Sequence, residues 1–285
     1  MPGARIPFFD EHPRFVETSK TGHTNERLNA RYTGLIHRHR HLLDGARVLD
    51  LASHDGRFSF AALDAGAANV VGIEIDGDLV EAANANFEAE GVDPSRYEFV
   101  QRDLFRHFDD LDQFDVVLCF GILYHVNDHM QLLTNIARVE PQWLIIDTKV
   151  SQLDGAVVEL RSAFGESPPP PGSYLEGYPT PAALQAMLAY FGWAVEPLDW
   201  RAAGLLDGPQ MSDYEEGRRL SLLVQGTPRV ERELRDYAVG LVHALQRDRS
   251  TQWMTVKGVA AKCEVDPHAL RTWVLEDLGR PPGRV

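Results

Sequence analysis

Cysteine is nearly absent from this 285-residue chain: Cys119 and Cys263 stand alone, forming neither a disulfide framework nor a metal-ligand spacing. Such usage fits a reducing compartment. Long apolar runs are missing as well. The longest, VVLCFGIL, falls far short of the roughly 20 residues that span a bilayer. The opening stretch, MPGARIPFFDEHPR, holds no apolar segment of the kind a secretory leader needs, so a cytoplasmic protein is expected. Low complexity is confined to the prolines at 168–171. Positive charge is also in deficit, with 28 Lys and Arg against 42 Asp and Glu and a net charge of −14. The deficit is uneven. Residues 227–285 hold 10 basic against 8 acidic side chains, so residues 1–226 carry −16. A body that acidic repels a phosphate backbone, which disfavours nucleic acid as its partner and leaves only the tail open.

What is present is a regular alternation. Strand-like runs fall at 46–51, 69–75, 97–101, 114–120 and 143–148, several of them near-continuous in Val and Ile, as when helices cover both faces of a sheet. Between them FSFAALDAG and DLVEAANANFEAEG have helical spacing and stop at Gly66 and Gly91. Strand–helix–strand alternation implies right-handed crossovers and a parallel, doubly wound α/β sheet. After a polar, proline-rich insertion (151–179), Thr180 and Pro181 open a helix. Two more strand-like runs, 193–200 and 220–226, follow and bring the count to seven. Residues 1–45 are expected to form an N-terminal helical cap. Their alternating His37, His39 and His41 fall on different sides of a helix, so a solvated face, not a metal site, is the reading.

Ligands of an open parallel sheet bind beyond the C-terminal strand ends. There VLDLASHDGRFSF runs from the first strand through a tight turn into a helix. Asp50 closes the strand, and Gly56 lets the helix begin close to a ligand. Eighteen residues further on, Glu74 ends the second strand, placed to accept from a ribose diol. Asp103 follows the third strand, where a carboxylate can receive an exocyclic amine. Phe120 and Gly121 end the fourth. Ala52 and His54 stand where glycines are usual, which implies a turn with negative φ at both places.

On these residues the chain resembles the class I S-adenosylmethionine-dependent methyltransferases, over roughly residues 40–226. In that family the first loop reads D-x-G-x-G-x-G, an acidic residue closes strand two, and Asp-Leu follows strand three. Here these positions are Asp50, Ala52, His54 and Gly56, then Glu74, then Asp103 and Leu104, with 114–125 covering strand four. The resemblance implies a seven-stranded sheet whose last strand is antiparallel, and S-adenosyl-L-methionine as cofactor, held by these residues and Phe120. His54 is either a wall of the site or a substrate contact. NAD is disfavoured, because residues 50–58 cannot supply three glycines at the dinucleotide spacing.

An activated methyl leaves the protein mainly to align the acceptor. Where the acceptor holds a proton, a base is needed, and Tyr124, His125, His129 and Asp147 follow strands four and five. His125 is the best candidate, against a role as helix cap or pocket floor. CFGI lacks the amide or carboxylate of adenine N6 methylation, and the spacing of Asp147 and Asn127 does not establish a metal set. Tyr124, Tyr174 and Tyr178 offer substrate-side surface for a small molecule, and the acceptor atom (O, N or C) stays open. A homodimer is compatible with this reading.

The tail, 227–285, reads as helices, with a turn at 264–266 that resembles a helix-turn-helix. His268, Arg271 and Thr272 would be its recognition residues. The competing function is therefore a DNA-binding regulator that senses a nucleoside ligand.

Overall fold

The computed structural model describes residues 5–105, 108, 111–163, 175–226, 229–245 and 252–278. Its contacts divide the chain into two units, 1–226 and 227–285.

The first unit opens with four short helices, α1 (Phe8–Glu11), α2 (Arg14–Glu17), α3 (Asn25–Arg31) and α4 (Arg40–Leu43). Thr24 caps α3 by accepting from the Arg27 amide. Between α3 and α4 the chain widens into a π turn (Tyr32–Ile36) and then tightens into a 3-10 turn (His37–His39). The solvated histidine face expected here is not what forms: His39 is buried beneath this irregular turn while His41 stays exposed. A change of helical pitch rotates the side chains off the even spacing that the sequence suggests.

Strands β1 (Arg47–Leu51), β2 (Asn69–Glu74), β3 (Tyr97–Gln101), β4 (Val116–Phe120) and β5 (Trp143–Lys149) alternate with α5 (Arg57–Asp64), α6 (Gly77–Ala89) and α7 (His129–Arg138). A hairpin of β6 (Val158–Ser162) and β7 (Leu175–Pro179) then forms a separate two-stranded sheet. It lies in the insertion, where no strand was expected, because its polar sequence lacks the apolar alternation that marks strands. Helix α8 (Pro181–Tyr190), capped by Thr180, leads to β8 (Ala194–Pro197), α9 (Ser212–Glu215) and β9 (Arg219–Gln225). The main sheet has the order β3-β2-β1-β4-β5-β9-β8, and β9, last in sequence, runs antiparallel between β5 and β8.

Alternate residues of the central strands feed two apolar layers. Val48, Val116, Leu118 and Ile145 join Phe8, Phe9 and Phe15 of the N-terminal segment. Leu49, Leu51, Val117, Cys119, Leu144 and Ile146 pack with α7 and α8 on the other face. The N-terminal helices are thus built into the core of the first unit.

The second unit has its own core. Helices α10 (Arg229–Leu245), α11 (Gln252–Cys263) and α12 (Pro267–Asp277) bury Val239, Val242, Val256, Val259, Leu270 and Val274.

Candidate functional site

Beyond the C-terminal ends of β1, β2 and β4 lies a cavity of about 310 Å3. Asp50, Ala52, His54, Glu74, Phe120, Tyr124 and His125 all line it, as do Ser53, Asp76 and Gly121. Four of the expected residues stand elsewhere. Gly56 is turned into the core: a Cβ there would lie 2.9 Å from both Phe87 and Phe99. Its φ of 81° and this packing both require glycine. Leu104 is buried among apolar side chains, and Asp103 Oδ1 accepts from the Phe105 amide, outside the cavity wall. Tyr178 packs on Tyr124, ring centroids 5.6 Å apart, while Tyr174 lies outside the described residues.

The first loop departs from expectation in its backbone. Ala52 and His54 have φ of 54° and 55°, in the left-handed region, where a negative φ was inferred from their identity. Left-handed backbone at non-glycine residues costs on the order of 1 kcal/mol each and persists where its surroundings over-determine it. Those surroundings are visible. Asp55, fully buried, accepts from Arg57 Nε at 2.7 Å and Nη2 at 2.8 Å, and from Thr18 Oγ1 at 2.8 Å. Burial opposes ionisation of Asp55, yet its hydrogen bonds and the Arg57 charge hold its pKa below the ordinary value. Glu74 Oε2 accepts from the His54 amide at 2.9 Å, while Oε1 takes the amides of Ile75 and Asp76. A carboxylate-clamped loop can keep two strained residues where free glycines would otherwise serve.

Several polar groups here are buried at the cavity wall. Ser53 Oγ and His54 Nε2 are buried without a hydrogen-bond partner among the described residues, and both residues line the cavity. Asp50 is buried with Ser59 Oγ donating to it at 2.7 Å, and burial raises its pKa to about 7. A positively charged group beside it would reverse that cost. Phe120, Ile122 and Leu79 supply apolar wall. This donor and acceptor set fits the amine, sulfonium and ribose of S-adenosylmethionine.

Of the four candidate bases only one has suitable surroundings. His129 is buried with Nε2 3.0 Å from the Gly177 carbonyl, a structural bond. Asp147 is buried and saturated by Arg31, Arg219, Tyr214 and Ser221, which hold it ionised against the cost of burial. Tyr124 is buried, and burial pushes its pKa up. His125 is half-exposed at the cavity wall, with Nδ1 2.7 Å from Glu176 Oε1. Burial lowers its pKa and Glu176 partly restores it, so the imidazole is neutral at pH 7. Tyr178 in turn donates to Glu176 Oε2 at 2.6 Å. Glu176 sits on β7, and reading the sequence missed it. Its proximity to His125 exists only because the hairpin folds back.

In the tail, α11 and α12 meet at Glu264, whose φ of 56° makes the turn, and Asp266 caps α12 through the His268 and Ala269 amides. His268 and Arg271 both pack on the Trp253 ring, and Thr272 donates to the His268 carbonyl.

Strand order, switch point and cavity define a Rossmann-like ligand-binding fold. Residues 48–140 match the family model described as "Methyltransferase domain". The ribosomal RNA large subunit methyltransferase I of Klebsiella pneumoniae is 30% identical over 123 residues, 41% of this chain and 30% of the relative, so the chain spans under a third of that relative's length. An S-adenosylmethionine-dependent methyltransferase from Mesorhizobium loti shares the fold with a TM-score of 0.52 at 16% identity, covering 69% of this chain and 97% of that one. The N-terminal domain of EvdMO1, solved with S-adenosylhomocysteine bound, gives 0.51 at 23% identity, covering 75% and 84%. Residues 48–140 are thus similar to a methyltransferase domain, and the fold is the one that S-adenosylmethionine-dependent methyltransferases have.

Proposed function

We propose that the chain methylates a small-molecule acceptor, with the first cavity holding S-adenosylmethionine and His125 serving as base. The observation that carries this reading is the cavity at the strand ends, lined by Asp50 and Glu74 and by the unpartnered Ser53 Oγ and His54 Nε2. The cofactor when bound supplies an electrophilic methyl: the acceptor's lone pair bonds to that carbon, the C–S bond breaks, and its electron pair remains on sulfur. Asp50 favours the cationic donor, Glu74 orients it, and Phe120 excludes water. His125, held by Glu176, takes the acceptor's proton. Positioning of this kind contributes roughly 7–11 kcal/mol, and a base adds about 10²–10⁴-fold.

The name of the Klebsiella relative raises ribosomal RNA as an acceptor. A net charge of −16 over residues 1–226 favours a small molecule instead. The regulator reading rests on the tail's helix–turn–helix, whose candidate recognition residues His268 and Arg271 are engaged by Trp253. Calorimetry with S-adenosylhomocysteine, followed by an acceptor screen scored by its release, tests the proposal. Binding in the micromolar range with turnover of a small molecule is the expected result. Absence of heat with cofactor and product, or turnover of RNA alone, would refute it.

A further inference from the structure

A second cavity, of about 480 Å3, adjoins the first and shares Thr21, His23, Tyr124 and Arg219 with it. Its charge is opposite to that of the chain. Arg27, Lys149, Arg218 and Arg219 line it, and Asp213 is the one carboxylate among the lining residues. The cations outnumber the carboxylates available to them. Asp213 receives Arg27 and Arg219, Asp147 receives Arg31 and Arg219, and Glu216 takes Arg218 at 2.8 Å. Glu176, whose field also reaches Lys149, is engaged by His125 and Tyr178. Lys149 makes no ion pair among the described residues and lies over the Tyr124 ring, 4.8 Å from its centroid. Burial first, and then the Arg219 charge, lower its pKa against the opposing pull of Glu176 and Asp213. Arg27, 4% exposed, keeps an Nε with no hydrogen-bond partner among the described residues.

We propose that this cavity binds the acceptor through an oxyanion, a carboxylate or phosphate held by Lys149, Arg218 and Arg27. The inference rests on the methyl-transfer reading of the first cavity. A cluster of guanidinium and ammonium groups in a half-enclosed site is suited to oxyanions, which such groups recognise by charge-assisted hydrogen bonds. The oxyanion is a handle, distinct from the nucleophile. The shared wall at Tyr124 and Arg219 directs the rest of the molecule toward His125 in the first cavity.

The test uses the full chain saturated with S-adenosylhomocysteine, titrated calorimetrically with inorganic phosphate and, separately, with acetate. At least one of them should bind, and the stronger identifies the handle as phosphate or carboxylate. Lys149→Gln and the exposed-site variant Arg218→Gln should each weaken that binding about tenfold, the value of one charge-assisted contact. Neither should alter affinity for S-adenosylhomocysteine, since neither residue lines the first cavity. Failure of both anions to bind the loaded protein, or binding that survives both substitutions, overturns the inference and leaves the methyl-transfer reading standing. Failure of S-adenosylhomocysteine to bind in the loading step overturns that reading instead. Displacement of phosphate by an RNA oligonucleotide with a steep salt dependence would replace the small-molecule handle by a nucleic-acid backbone.

Discussion

The walls of the first cavity are strand-end carboxylates: Asp50 on β1, Glu74 on β2 and Asp76 just beyond it. Its three guanidiniums, Arg31, Arg57 and the shared Arg219, are paired: Arg31 and Arg219 with Asp147, and Arg57 with Asp55. The second cavity draws its charge from α3, β5 and β9, elements far apart in sequence, and leaves Lys149 without a counter-ion among the described residues. The two differ in charge balance, carboxylates matching guanidiniums in the first and cations in excess in the second, and also in how the chain builds them. Successive strand ends of a parallel sheet bring acidic residues together by topology alone. The cationic cluster depends on a folded-back N-terminal segment meeting an antiparallel strand.

The largest effect should come in the first cavity, next to the shared Tyr124. His125→Ala is expected to lower turnover about 10²-fold or more with little change in cofactor affinity. Because the His125 pKa lies below its ordinary value, wild-type rate should hold from neutral pH down past that value before falling. Glu176 raises that pKa, so Glu176→Gln should move the acid limb to still lower pH, an effect a merely structural contact would not produce. An active but less stable His125→Ala protein would remove the histidine from the chemistry.

Next is the acidic wall. Glu74→Ala should weaken S-adenosylmethionine binding by roughly 1.5–3 kcal/mol, measured by calorimetry. Unchanged affinity would move the ribose contact elsewhere.

A smaller effect sharpens the electrostatic contrast. The Asp50 pKa is raised by burial to about 7, so its contribution to stability is complete below the unfolded value near 4 and is lost as pH rises through 7. Asp50→Asn should therefore raise the melting temperature of the ligand-free protein by a few degrees at pH 8, with little change at pH 4, and weaken the cofactor. A lower melting point at pH 8 would mean that Asp50 has a compensating cation. Asp213 behaves oppositely. Its pKa is held down to about 2 by Arg27 and Arg219 against burial, so the stability it gives is present above pH 4 and lost toward pH 2.

The smallest effect is expected from removal of residues 227–285. Both cavities and both apolar layers of the first unit are built from residues before 227, so cofactor affinity should be unchanged by calorimetry. Loss of affinity in a folded truncation would bring the tail into the site.

All seven strands of the main sheet were readable from apolar runs and their turn residues, within a few residues of their ends. Five of the eight expected cofactor residues line the cavity, since spacing along strands specifies which side chains reach the strand ends. Gly56, Asp103 and Leu104 do not, because spacing places a residue near a strand end without deciding which way it faces. Glu176 was not legible for a different reason. Its hairpin is polar, and its pairing with His125 spans 51 positions.

By itself the sequence determined the alternation of strands and helices, the side of the sheet where a ligand must sit, and the carboxylates that face it. These follow from local periodicity and from the fixed handedness of crossovers. Only the tertiary structure decided that Ala52 and His54 take left-handed backbone, that Glu176 holds His125, and that Arg27, Lys149 and Arg218 surround one cavity. Strain at a turn depends on the clamp around it, and a charge cluster depends on which distant elements are packed together. Neither leaves a period in the sequence.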